Sequence, residues 1–297
     1  MIWNKIKFGI APINWSNDDL LELGADITLE QCLGDMQKAG FSGTEMGHKY
    51  PTEAQRLKPI LGAYNLDLAS GWFSTYFVQN TNPEEELDRL GKSLQFLSAM
   101  GTKTINLAEC SGAVHNARHI PLSQKPVFDD KDWDRLIQGL SKAGQLCHTY
   151  GIQAGYHHHM GTGIETYEEI ERLMKSTNPD TISLCADTGH LRYAGMDPLD
   201  VFKKFSDRII HIHLKDVRRN ILESGPSDKS SFLDSVLEGV FTVPGDGMID
   251  FVPIFEVVVE SVYEGWMIVE AEQDPAKADP LQYAQMAAEY LGSIFSS

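Results

Sequence analysis

The sequence predicts an α/β fold of the (β/α)8 TIM-barrel type, in a single domain over residues 1–297. Three observations predict it. Short apolar runs alternate eight times with amphipathic stretches, the layout of strands and outer helices in a parallel barrel. Residues of metal-ligand type close several of those runs, and barrel enzymes do their chemistry at the C-terminal ends of their strands. No glycine-rich fingerprint follows the first run, which argues against a doubly wound open sheet.

The elements are expected in this order. Strand Lys7–Ile13 leads to helix Leu29–Ala39, and strand Gly43–Met46 leads to a shorter connection, Thr52–Tyr64, ending near Asn65. Strand Asp67–Trp72 precedes Glu84–Met100, where Leu87, Leu90, Leu94 and Leu97 recur at helical spacing. Strand Thr104–Glu109 precedes Trp133–Tyr150, which carries Leu136, Leu140 and Leu146, with Asp132 as the expected cap. Gln153–His157 is followed by Thr166–Lys175, and Ser183–Asp187 by Pro198–Phe205, where Asp197-Pro198 puts proline at a first helical position. Strand Ile209–Leu214 is followed by helix Phe251–Val262, and strand Met267–Glu270 by helix Pro280–Ile294. Three long connections, Asn14–Asp26, Ser111–Lys131 and Arg218–Asp246, all leave C-terminal strand ends and read as binding loops or lids.

A chain of 297 residues that is 42% hydrophobic has ample material for one large core. Its net charge of -17 argues against nucleic acid and anionic membranes as partners and favours a neutral or metal-neutralised small molecule. No apolar run is long enough to span a bilayer, and Met1-Ile2-Trp3-Asn4-Lys5 lacks a signal-peptide core. Cys32, Cys110, Cys147 and Cys185 form no CxxC pair, so reduced thiols in the cytoplasm are expected. Cys110 and Cys185 lie near strand ends and read as packing residues.

The candidate chemistry sits in four clusters. In Tyr156-His157-His158-His159, side-chain alternation puts His157 and His159 on one face and His158 on the other. His157 is the candidate metal ligand, and His159 is the candidate to lie beside substrate. Asp187 ends the sixth strand as a candidate ligand, with His190 in the following turn placed to orient substrate or exchange protons. His211, His213 and Lys215 share a face of the seventh strand. His213 lies nearer the rim and is the better ligand, while Lys215 is a candidate acid and Asp216 a candidate partner of the ligands. Glu270 and Glu272 share a face of the eighth strand and either could bind metal; Glu270 is the favoured ligand, which leaves Glu272 to support the ligands or act as a base. Glu109 and Glu45 close two further strands, and Glu109 is a candidate base. Trp15, Trp72 and Tyr156 are candidates for an apolar wall. Imidazoles converging with carboxylates suggest a divalent metal such as Mn²⁺, Co²⁺ or Zn²⁺.

Asp187-x-x-His190, His211-Ile212-His213-Leu214-Lys215-Asp216 and the Glu270 strand end resemble the marks of the xylose isomerase-like sugar isomerase and epimerase barrels. Over nearly the whole chain, Gly9 to Trp15, Tyr156 to Thr162, Pro244-Gly245-Asp246-Gly247 and Gly265 to Pro275 resemble the inosose dehydratase family within that superfamily. The resemblance implies a metal held by a Glu, Asp, His, Glu set, which falls here on Asp187, His213 and Glu270, with His157 in place of the usual first Glu. A neutral ligand there would leave the metal a stronger Lewis acid.

The resemblance further implies Mn²⁺ or Co²⁺, a homo-oligomer, and a cyclitol ketone of 2-keto-myo-inositol type that loses water to give a cyclic 1,2-dione. In that reaction Glu109 or His159 is the candidate base, and His190 or Lys215 the candidate acid. Three other readings compete. An isomerase or epimerase would share the metal and the proton abstraction; a repair endonuclease of this barrel type is opposed by the charge; a non-catalytic sugar-binding protein is opposed by the crowding of ligand-type residues at one rim.

Overall fold

The barrel strands are largely buried and close into a ring. The computed structural model describes residues 5–80, 82–224 and 230–295. Its strands are β1 (Ile6–Ile10), β2 (Gly43–Glu45), β3 (Asp67–Ser70), β4 (Trp72–Thr75), β5 (Thr104–Glu109), β6 (Gln153–His157), β7 (Ile182–Asp187), β8 (Ile209–Leu214), β9 (Asp216–Val217), β10 (Phe241–Thr242) and β11 (Gly265–Val269). A parallel sheet runs β1-β11-β8-β7-β6-β5-β4, and β2 pairs in parallel with β3. Two backbone bonds join these into a barrel: Ser42 N–H donates to the Phe8 carbonyl, and Asn106 N–H to the Gly71 carbonyl. The third barrel strand is thus split at Gly71, with β3 bonded back to β2 and β4 forward to β5.

Eight helices form the outer layer: α1 (Leu29–Ala39), α2 (Ala54–Ala63), α3 (Pro83–Met100), α4 (Asp130–Thr149), α5 (Tyr167–Ser176), α7 (Pro198–Phe205), α10 (Val252–Glu260) and α11 (Pro280–Phe295). Three short helices lie on the rim: α6 (Thr188–Tyr193), α8 (Arg219–Ser224) and α9 (Phe232–Glu238). Apolar faces such as Leu90, Leu94 and Leu97 of α3 press on the barrel. Among the described residues no helix is long and apolar enough to cross a membrane.

Several boundaries differ from the sequence expectation. The first strand stops at Ile10, because Pro12 opens a 3₁₀ turn over Pro12–Asn14. Asp129, not Asp132, caps α4; Asp132 closes the reciprocal capping box three residues later. The turn expected at His190 is the helix α6, capped by the Asp187 side chain. The connection expected as Arg218–Asp246 contains α8, α9 and β10, which pairs with β9. Residues 225–229 of that connection, and residues 1–4 of the amino terminus expected to lack a leader, lie outside the described residues.

Candidate metal centre and active site

A cavity of about 410 Å³ opens at the C-terminal ends of the strands. Its wall includes His157 and His159 from the end of β6, His213 from β8, and Glu270 and Glu272 from the end of β11. Alternation explains the β6 pair. His157 and His159 face the cavity, while His158 turns away and accepts the Asp187 N–H at 3.2 Å.

The four candidate ligands converge. His157 Nε2 lies 3.1 Å from His213 Nδ1, which lies 3.1 Å from Glu270 Oε2. Asp187 Oδ2 is 3.6 Å from both imidazole nitrogens. Donor–donor spacings a little over 3 Å are what metal–ligand bonds of about 2.0–2.2 Å around one centre produce. Asp187 is wholly buried, yet its Oδ2 has no hydrogen-bond partner, while its Oδ1 accepts the His190 N–H at 2.8 Å. His213 Nε2 faces the Glu45 carboxylate at 3.2 Å and donates to it, while Nδ1 faces Glu270; burial alone would lower the ring's pKa, but the negative groups around it hold it well above the usual imidazole range, so a metal taking Nδ1 displaces a proton there. His157 Nε2, His213 Nδ1, Asp187 Oδ2 and Glu270 Oε2 thus form one close group of ligand-type atoms. The donor set therefore fits a divalent metal.

Beside this group, the Lys215 ammonium is fully buried among carboxylates. It lies 2.6 Å from Glu270 Oε1, 2.8 Å from Glu272 Oε1 and 3.4 Å from Asp187 Oδ2. Burial alone would lower its pKa, but Asp187, Glu270 and Glu272 outweigh that and hold it well above the usual lysine range. Lys215 also meets His190 Nε2 at 3.0 Å. A charged ammonium can only donate there, so His190 is neutral, and burial holds its pKa well below the usual imidazole range. Glu272 is pushed up to about 7 by burial, with Lys215 opposing the rise. His159 donates from Nδ1 to the Met160 carbonyl at 2.8 Å, which leaves Nε2 as its basic nitrogen.

The structure separates the remaining candidates. Glu109 is wholly buried and does not line the cavity. Its oxygens accept from Thr75 Oγ1 at 2.9 Å, Phe77 N at 3.0 Å, Val78 N at 3.4 Å and Ser111 N at 3.1 Å, and from the Ser111 hydroxyl. It ties the β4 and β5 loops together, and geometry does not place it as a base. His190 and Lys215 lie behind the wall rather than in it. Asp216 does not touch the ligands either; it accepts from Val217, Gly245, Gly247 and Ile249 backbone N–H groups at 2.8–3.3 Å and so anchors the Pro244-Gly245-Asp246-Gly247 loop. Of the three candidate wall aromatics, Trp72 alone lines the cavity. Trp15 is buried against Asp35 and Tyr156 beneath Glu109. Cys110 lines the cavity, and all four cysteines are unpaired and buried.

Other wall residues are absent from the sequence reading. Asn106 points inward from mid-β5, and a lone Asn in an apolar strand was the signal for it. His115, Asn116, Asp18 and Asp19 come from the long loops after β5 and β1, where no periodicity marks a side chain's direction. Glu45 accepts from His211 Nε2 at 2.8 Å inside the barrel, while His211 Nδ1 is buried without a hydrogen bond.

The comparisons with known proteins agree with this architecture. The Xylose isomerase-like TIM barrel family profile matches residues 33–294. An inosose dehydratase of Lacticaseibacillus casei is 50% identical over 298 residues, covering 98% of each chain. One from Geobacillus thermodenitrificans is 49% identical over 289 residues, covering 97% of each. Among solved structures, the IolI protein with a bound zinc atom superimposes with a TM-score of 0.72 at 14% identity, covering 98% of both chains, a likeness of fold. With a parallel barrel, a rim cavity and whole-length relatives of this kind, the chain belongs to the inosose dehydratase family of xylose isomerase-like TIM barrels.

Proposed function

We propose that this chain is a metal-dependent hydro-lyase that removes water from 2-keto-myo-inositol to give 3D-3,5/4-trihydroxycyclohexane-1,2-dione, a step in the breakdown of myo-inositol. The observation that carries the metal requirement is the convergence of His157, Asp187, His213 and Glu270, with the Asp187 Oδ2 buried and without a hydrogen bond. The mixed imidazole and carboxylate set suits Mn²⁺ or Co²⁺. When bound, the metal supplies Lewis-acid polarisation of the substrate ketone, which acidifies the adjacent C–H.

The chain's own groups move the protons. His159 takes the α-proton at Nε2, its tautomer fixed by the Nδ1 bond to Met160. Glu272 lines the cavity, and Lys215 Nζ holds it at 2.8 Å. Glu272 donates a proton to the departing β-hydroxyl, which leaves as water, and the enol relaxes to the dione. Lys215 supports the acid without touching substrate. Trp72, edge-on to His157 at 5.1 Å between ring centroids, offers its face to the C–H side of the ring. One barrel domain suffices for this, and four unpaired thiols support a reducing, cytoplasmic setting.

The test is to incubate the protein with 2-keto-myo-inositol and Mn²⁺ and to follow product mass and dione absorbance. Loss of one water is expected. A rearranged sugar of unchanged mass would make the protein an isomerase instead.

A further inference from the structure

We propose that Glu45 is a positioning residue for the reaction, fixing His213 with Nδ1 turned to the metal; this rests on the metal reading above. Glu45 comes from the end of β2, and its partners His211 and His213 lie 166 and 168 residues away on β8. Only closure of the barrel brings them together.

The carboxylate is buried at the cavity wall, with His211, Asn106 and Ser70 on Oε1 and His213 on Oε2. It accepts from His211 Nε2 at 2.8 Å, His213 Nε2 at 3.2 Å and Asn106 Nδ2 at 3.2 Å, and from the Ser70 hydroxyl. A carboxylate has no hydrogen to give, so both imidazole nitrogens facing it must be N–H. For His213 that fixes the ring orientation. Nδ1 is then the nitrogen left to bind a metal, and it is the atom 3.1 Å from Glu270 Oε2 and 3.6 Å from Asp187 Oδ2. His211 and Asn106 hold the carboxylate from below, so Glu45 cannot follow His213 if the ring turns. A carboxylate behind a ligating imidazole also raises the basicity of the ligating nitrogen. With four donors already on it, Glu45 acts through His213.

The experiment measures Mn²⁺ and Co²⁺ binding by calorimetry to metal-stripped wild type, Glu45→Gln and Ser70→Ala, with melting temperature and the visible spectrum of the Co²⁺ form. One ion per wild-type chain is expected. Glu45→Gln should bind it about 10- to 100-fold more weakly with an altered Co²⁺ spectrum, while Ser70→Ala, which leaves the bond to His213, should bind as wild type does. Unchanged affinity in a folded Glu45→Gln overturns the proposal, as does a second ion in wild type that this variant loses, since Glu45 would then be a ligand. A wild type that binds neither ion overturns the metal reading and the proposal with it. Should Glu45→Gln fail to fold, nitrogen NMR of the metal-free wild type decides. His213 protonated at Nε2 supports the assignment, and His213 protonated at Nδ1 alone overturns it.

Discussion

At the scale of single residues, a one-position step along a strand decides which imidazole meets the cavity. His157 and His159 line it, and His158 between them spends its Nε2 on the Asp187 backbone. His157→Ala and Asp187→Ala should each lose bound metal and turnover together, falling to the activity of metal-stripped enzyme; elemental analysis alongside kinetics checks this, and a variant with full metal and full rate would mean the ligand assignment is wrong. Trp72 is 41% exposed yet lines the cavity, which is unusual for so large an apolar group unless something covers it. Trp72→Ala should raise KM about 2- to 12-fold, roughly the 0.5–1.5 kcal/mol of a stacking contact, with little change in kcat. A fall in kcat at constant KM would assign Trp72 to proton transfer geometry instead.

At the scale of elements, the site depends on where short pieces of backbone pass one another. Gly189, in the first turn of α6, lies against the Lys215 stem: a Cβ there would sit 2.4 Å from Lys215 Cγ. Gly189→Ala should therefore displace Lys215 from Glu270 and Glu272, at a cost of about 1–3 kcal/mol for overpacking. Thermal melting and kcat should fall together; an unchanged melting temperature would show that Lys215 has room to move. Much at this scale was legible. Thr104–Glu109, Gln153–His157, Ile209–Leu214, Leu29–Ala39 and Pro198–Phe205 begin and end where hydrophobic periodicity places them. The six residues of α6 are too few to show a helical period, and the Asp187 cap that starts the helix also reads as a metal ligand. Asp129 and Asp132 are both plausible caps by type, and only the reciprocal bond separates them. Side chains at strand ends follow from alternation, so the meeting of His157, Asp187, His213 and Glu270 was readable. Glu45's role was not, because it depends on which strands face each other across the closed barrel. Glu109 misled for the related reason that a strand-end carboxylate can as well bind the loops around it.

At the scale of the whole molecule, a chain carrying -17 folds around a cluster of buried histidines. His115 shows what acid does to such a protein. Burial lowers its pKa from 6.5 to about 4. Between those values the unfolded chain takes up a proton that the folded chain refuses. This contribution to stability is therefore fully present above about pH 6.5 and lost as pH falls toward 4, amounting to roughly 3 kcal/mol. Denaturant melts from pH 7 to 4 should show wild type losing stability faster than His115→Asn; parallel slopes would contradict the assignment. Bound metal should act in the opposite sense across the molecule, raising the melting temperature in proportion to the logarithm of its free concentration. The central claim is that water loss from the cyclitol ketone requires one metal held by His157, Asp187, His213 and Glu270. Its most direct test is to titrate metal-stripped enzyme with Co²⁺ while following dehydration of 2-keto-myo-inositol. No turnover is expected without metal, and the rate should rise linearly to saturation at one ion per chain. Full turnover by enzyme shown to be metal-free would contradict it.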